Sequence, residues 1–152
     1  MRLFFDSSVL IPVFYADHPR HALSTQLFLS SAKNEAFCAL RTLGEVYAVL
    51  TGLPLRPRIS GPDGIDIVRQ IRDRVTVVSL TEAEYVAAIE LASAFVVGGA
   101  IYDALIARCA IKAKADVLLT WNLRDFTRFG DEVARLVKTP EEIQGGAQIP
   151  GN

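Results

Sequence analysis

The stretch "DVLLTWNLRDF", Asp116 to Phe126, sets an unbroken apolar run against a polar segment holding an amide, Asn122, and a carboxylate, Asp125. "DVLLT" reads as a strand and "WNLRDF" as the loop that follows it. The N-terminus repeats the arrangement: "RLFF" is a buried strand that runs into the polar "DSS" beginning at Asp6. "EAFCA" and the β-branched "VTVVSL" supply two more strands, and "VARLV" a last short one. Helical segments lie between them. "VLIPVFYA" carries Pro12 in its first turn, and "DHPRHALSTQLFLSSAK" opens on Asp17 as N-cap. "LRTLGEVYAVLTG" sets Leu43, Val46, Tyr47 and Leu50 on one face, and "IDIVRQIRDR" does the same with Ile65, Val68 and Ile71. Thr81 and Glu84 form a capping-box pattern, and "IYDALIARCAIKAKA" is apolar nearly all round. Residues 53–64, "LPLRPRISGPDG", form an exposed loop. Strands alternating with helices predict an α/β fold: three layers, α/β/α, around a central, mostly parallel sheet of four to five strands. Residues 1–144 form one domain, and residues 145–152 a loose tail.

Composition narrows the function classes. Hydrophobic residues make up 51% of the 152, which suits a single sizeable core. The formal charge of -1 means that a nucleic-acid partner would have to be drawn by a local basic patch. Cys38 and Cys109 are far apart, lack metal-type spacing and sit in apolar stretches, as free buried thiols in a reducing compartment do. No apolar run is long enough to span a membrane, so the expectation is a soluble, cytoplasmic protein. His18 and His21 read as surface residues of one helix.

Carboxylates carry the chemistry. Open parallel sheets place their sites at the carboxyl ends of the strands, where Asp6, Asn122 and Asp125 fall. Asp6 is equally suited to capping the next helix. Glu45 lies opposite the apolar stripe of its helix, among small residues that suggest a groove. Asp103 is the one charge on its helix before Arg108 and needs a partner: a cation, a metal or the helix N-terminus. If these groups converge, a divalent cation would relieve their repulsion. Oxygen donors without a His or Cys pair favour Mg²⁺ or Mn²⁺ over zinc.

"FFDSSVLI", "LGEVYAVL", "IYDALIA" and "LLTWNLRDF", in that order and at that spacing, resemble the PIN-domain ribonucleases, most closely the VapC-like toxins of toxin–antitoxin pairs. The resemblance implies a metal-dependent ribonuclease holding Mg²⁺ or Mn²⁺, with an RNA substrate, a cognate antitoxin and a homodimeric state. It implies Asp6, Glu45 and Asp103 as the first three acidic positions and metal ligands, with Glu45 alternatively orienting the attacking water. Asn122 falls at the fourth position, where an amide replaces the acid, and Asp125 is the carboxylate beside it. Asp125 either ligates through water or fixes the loop. Ser8 and Thr120 match hydroxyl positions near the site and are expected, with Arg124 and Arg128, to bind the substrate, the two arginines at its phosphates.

Other acidic-site families fit less well. A receiver-type phosphoacceptor needs an acidic pair before its Asp and a later Lys, and a dehalogenase-like phosphatase needs D-x-D where this chain has Asp6-Ser7-Ser8. A PIN module that binds RNA or protein without cleaving it is the alternative that Asn122 leaves open, as is a stand-alone RNA-processing nuclease.

Overall fold

A computed structural model describes residues 1–146 of the chain. Its sheet has five strands, all parallel, in the order β3-β2-β1-β4-β5. They are β1 (Leu3–Phe5), β2 (Ala36–Ala39), β3 (Thr76–Val78), β4 (Val117–Leu119) and β5 (Val137–Lys138). Each of the first three connections is a helical crossover, as parallel pairing demands. Adjacent residues of a strand feed opposite layers. Leu3, Phe5, Cys38, Val117 and Leu119 join one core, while Phe4, Phe37, Ala39 and Leu118 join the other. That is why "RLFF" and "VLL" show no polar alternation: neither face of the sheet meets water.

One layer holds α1 (Ser7–Val13), α2 (His21–Ser30), α3 (Leu40–Gly52) and α4 (Gly61–Arg74). Leu43, Val46 and Leu50 are buried in α3 as expected, whereas Tyr47 is partly exposed and packs toward α4. A Cβ on Gly64 would stand 2.8 Å from both Thr51 Cγ2 and Tyr47 Cε2, so the close approach of α3 and α4 requires glycine there. The loop predicted for 53–64 therefore ends early. Ser60 caps α4 by accepting from the Asp63 N–H at 3.1 Å, and the buried face becomes Gly64, Ile67 and Ile71, leaving Ile65 exposed.

The other layer holds α5 (Glu82–Ala92), α6 (Ile101–Lys112), α7 (Leu123–Thr127) and α8 (Asp131–Leu136). Thr81 and Glu84 make both bonds of the capping box, at 3.2 and 2.9 Å. The chain ends its described part in α9 (Pro140–Gly146), and the rest of the tail expected at 145–152 lies outside the described residues.

Four local expectations are corrected. Pro12 lies in the last turn of α1, because that helix starts at Ser7 directly after the strand. Asp17 caps nothing: residues 17–20 form a turn, and α2 starts at His21. His18 and His21 are half-buried, with His21 Nδ1 2.7 Å from the Pro12 carbonyl. "VARLV" is mostly helix, because Asp131 and Glu132 at the start of α8 and Arg135 near its end complement the helix dipole.

Cys38 and Cys109 are free and buried. No described helix is long and apolar enough to cross a membrane. Thr42 is fully buried, and its hydroxyl has no partner among the described residues. Thr42→Val keeps the shape and removes that unpaired group, so it should stabilise the fold by about 1 kcal/mol in urea unfolding. A loss of stability would mean that the hydroxyl is bonded in solution.

Candidate active site

The sheet order reverses direction at β1, which has β2 on one side and β4 on the other. Such a switch point opens a crevice beyond the carboxyl ends of the two strands. Phe5 pairs with Leu119, so the next residues, Asp6 and Thr120, emerge side by side into it. Both are buried, Asp6 at 4% exposure and Thr120 at 0%.

Asp6 stands at the N-cap position of α1, but its side chain makes no capping hydrogen bond. Instead its Oδ2 accepts from Ser8 Oγ at 2.8 Å and from Thr120 Oγ1 at 2.9 Å. The two hydroxyls lie 3.2 Å apart, and Thr120 Oγ1 also accepts the Asn122 N–H at 3.0 Å. Ser8 Oγ accepts the Trp121 N–H at 3.0 Å. Ser8 and Thr120 thus tie both strand ends to one carboxylate. Burial pushes the Asp6 carboxyl above its usual range, and these hydroxyls, with the backbone N–H groups of Ser7 and Ser8, oppose the rise.

Asp103 sits in the first turn of α6, half-buried. Its carboxyl is pushed up to about 6, first by desolvation and then by the negative charges of Asp6, Asp125 and Glu45, with Arg128 opposing. Elements distant in sequence therefore bring the Asp6, Asp125 and Glu45 carboxylates within electrostatic reach of Asp103.

Glu45 is half-buried and turned to the Arg41 Nε at 2.9 Å, one turn back on α3. The Arg41 guanidinium in turn lies 3.8 Å from the Tyr102 ring centroid. Glu45 and Arg41 border a cavity of about 620 Å³ whose walls include Leu40, Ala48, Leu80, Leu105 and Ile106. The groove expected from the small residues around Glu45 is this cavity. Arg41 could have been found in the sequence, because a basic residue four positions before a glutamate on a helix is a recognised pairing.

"WNLRDF" is not a plain loop. Asn122 takes the N-cap position of α7, and the Asp125 N–H donates to the Asn122 carbonyl at 3.1 Å. The buried Phe126 docks this short helix into the second core. The Asn122 side chain is exposed and makes no capping bond. Arg124 and Arg128 are exposed on the same segment, and of the two only Arg128 appears among the charges acting on Asp103.

Among the described residues no three His, Cys, Asp or Glu side chains stand close enough to hold a metal ion. Asp6 is held by hydroxyls and Glu45 by Arg41. The chemistry of the donors nevertheless fits a hard divalent cation. They are all oxygens, and the raised Asp103 carboxyl records a repulsion that such an ion would relieve.

Residues 3–132 match the PIN domain family model. Over 112 residues the chain is 31% identical to ribonuclease VapC27 of Mycobacterium tuberculosis (strain ATCC 25618 / H37Rv), covering 74% of this chain and 79% of that protein. Among solved structures, VapBC-1 from nontypeable Haemophilus influenzae superposes with a TM-score of 0.64 at 18% identity, covering 93% of this chain and 99% of that one. Mycobacterium tuberculosis VapC20, described as a sarcin–ricin loop cleaving toxin, gives 0.57 at 19% identity, covering 76% and 86%. The five-stranded parallel sheet with its acidic crevice belongs to a PIN-domain protein, and the chain is a member of the VapC-like ribonuclease toxin family at modest identity.

Proposed function

We propose that this protein is a Mg²⁺- or Mn²⁺-dependent endoribonuclease that hydrolyses RNA phosphodiester bonds, and that it is the toxin partner of a cognate antitoxin. The observation that carries the reading is the switch-point crevice, where Asp6 is buried between Ser8 and Thr120 and Asp103 is raised to about 6, first by burial and then by the charges of Asp6, Asp125 and Glu45. A charge conflict of this size is kept at a functional site in preference to an apolar packing. The toxin assignment rests on the family and on VapC20, a structural relative described as a toxin.

Asp6, Asp103 and Glu45 would hold the ion. When bound, it supplies positive charge at the scissile phosphate and makes water easier to deprotonate. The chain's own groups do the rest. Ser8 and Thr120 fix the Asp6 carboxylate by two short donor bonds, which keep it oriented and oppose its protonation. Arg124 in α7 and Arg128 just after it are exposed and would contact the phosphates that flank the cut. Asn122 offers a carbonyl acceptor and an amide donor without adding a further negative charge to the cluster.

The test is cleavage of single-stranded RNA by purified protein in Mg²⁺, in Mn²⁺ and in EDTA. Cutting should need the metal, and Asp6→Asn should lower it by at least about a hundredfold. Equal cleavage in EDTA, or none on any RNA offered, would overturn the proposal. The amide at Asn122 favours a second reading, an RNA-binding module without activity. Calorimetry that detects RNA binding but no divalent binding would select it.

A further inference from the structure

We propose that Arg20 and Trp121 form a nucleobase-stacking subsite beside the carboxylates, a reading that rests on RNA being the substrate. The Arg20 guanidinium carbon lies 4.3 Å from the Trp121 ring centroid, so the planar cation is layered on the indole. Both partners are fixed from behind. The half-buried Trp121 ring packs against the first core, and its Nε1–H donates to the fully buried Ser24 at 3.2 Å. The Arg20 N–H donates to His18 Nδ1 at 3.0 Å, and the Arg20 carbonyl accepts the Ser24 N–H at 3.2 Å.

The platform is coupled to the site through one hydroxyl. Ser8 Oγ accepts the Trp121 N–H at 3.0 Å and donates to Asp6 at 2.8 Å. A base held here would therefore set the sugar–phosphate chain near the acidic crevice. Arg20 is exposed and forms no ion pair among the described residues, so its charge and outer face remain available. Unpaired bases are recognised on such layered aromatic and guanidinium planes, with little demand on base identity. A duplex, whose bases are stacked on one another, offers no free π-face to this stack.

Trp121 is the chain's single tryptophan, so it reports on its own surroundings. The experiment titrates Asp103→Asn protein, used to prevent cleavage, with a dye-labelled single-stranded RNA oligomer and with its abasic ribose–phosphate counterpart. Anisotropy reads binding and Trp121 emission reads stacking. The RNA should quench Trp121, and the abasic oligomer should not. Adding Arg20→Ala should weaken RNA binding about tenfold. Arg20→Lys, which keeps the charge and loses the plane, should weaken RNA but leave the abasic oligomer nearly unaffected. RNA binding that leaves Trp121 emission unmoved, or Arg20→Lys binding RNA as tightly as the parent, would overturn the subsite. Cleavage by the wild-type protein is followed in parallel. Cleavage with a silent Trp121 removes the subsite alone, quenching without cleavage removes the nuclease reading alone, and the absence of both binding and cleavage removes both.

Discussion

Replacing Asp103 by Asn is expected to abolish RNA cleavage and, without divalent ions, to make the protein more stable at neutral pH. The sign follows from the direction of the shift. The folded-state carboxyl sits at about 6, against an unfolded value of 3.8, so the folded state holds its proton more tightly. An acid raised in this way loses stability as pH climbs through that window and carries the full cost above it. Asn carries no such cost. The gain should be on the order of 1–2 kcal/mol once solvent screening is allowed for, or roughly 3–6 °C in melting temperature. It should be present at about pH 7.5 and nearly absent at about pH 3, below both the folded and the unfolded values, where the carboxyl is mostly protonated in either state. Adding Mg²⁺ should raise the melting temperature of the wild type and leave Asp103→Asn nearly unchanged. A variant that is less stable at neutral pH would sink the idea, because it would make Asp103 a satisfied helix-dipole partner.

The raised Asp103 carboxyl has its first origin in burial, to which the charges of Asp6, Asp125 and Glu45 add; of these four, only Glu45 makes an ion pair among the described residues, with Arg41. Glu45 is engaged by Arg41 at 2.9 Å, and no three acidic groups stand within ligating distance among the described residues.

Much of this was legible in the sequence, for identifiable reasons. Strands buried on both faces lack polar alternation, so the Asp that ends "RLFF" and the polar run that ends "VLLT" mark strand ends directly. Asp103 stood out because its helix offers it no neighbouring charge. Short elements were harder to read. α7 spans Leu123–Thr127 and owes its helical form to the docking of Phe126 and the turn at Asn122, neither of which periodicity detects. On α4 the expected Ile71 and Val68 do meet the core, but Ile65 is exposed and its neighbour Gly64 is buried, because a small residue is what the approach of Tyr47 allows. The Arg20–Trp121 stack joins two loops distant in sequence and had no local signal at all. Ser8 and Thr120 were legible as hydroxyls near the site, but their shared target, Asp6, emerged only with the strand register.

That register makes Thr120→Val the second informative change. The Thr120 hydroxyl is fully buried, donates to Asp6 at 2.9 Å and accepts the Asn122 N–H at 3.0 Å. Valine fills the same space and serves neither group, so the fold should lose about 2 kcal/mol. The effect on activity should be larger in character than a stability loss alone. Thr120 is one of the donors that hold the Asp6 carboxyl down against burial, so removing it sends that carboxyl further up. Less Asp6 is then ionised at neutral pH. At limiting Mg²⁺ the cleavage rate should fall by roughly ten- to a hundredfold, and the acid limb of the pH–rate profile should move to higher pH. Thr120→Ser restores the hydroxyl and should recover most of the rate and the original profile. If Ser and Val lower the rate equally, with no displacement of the acid limb, Thr120 acts through packing and the hydroxyl has no part in setting the charge of Asp6.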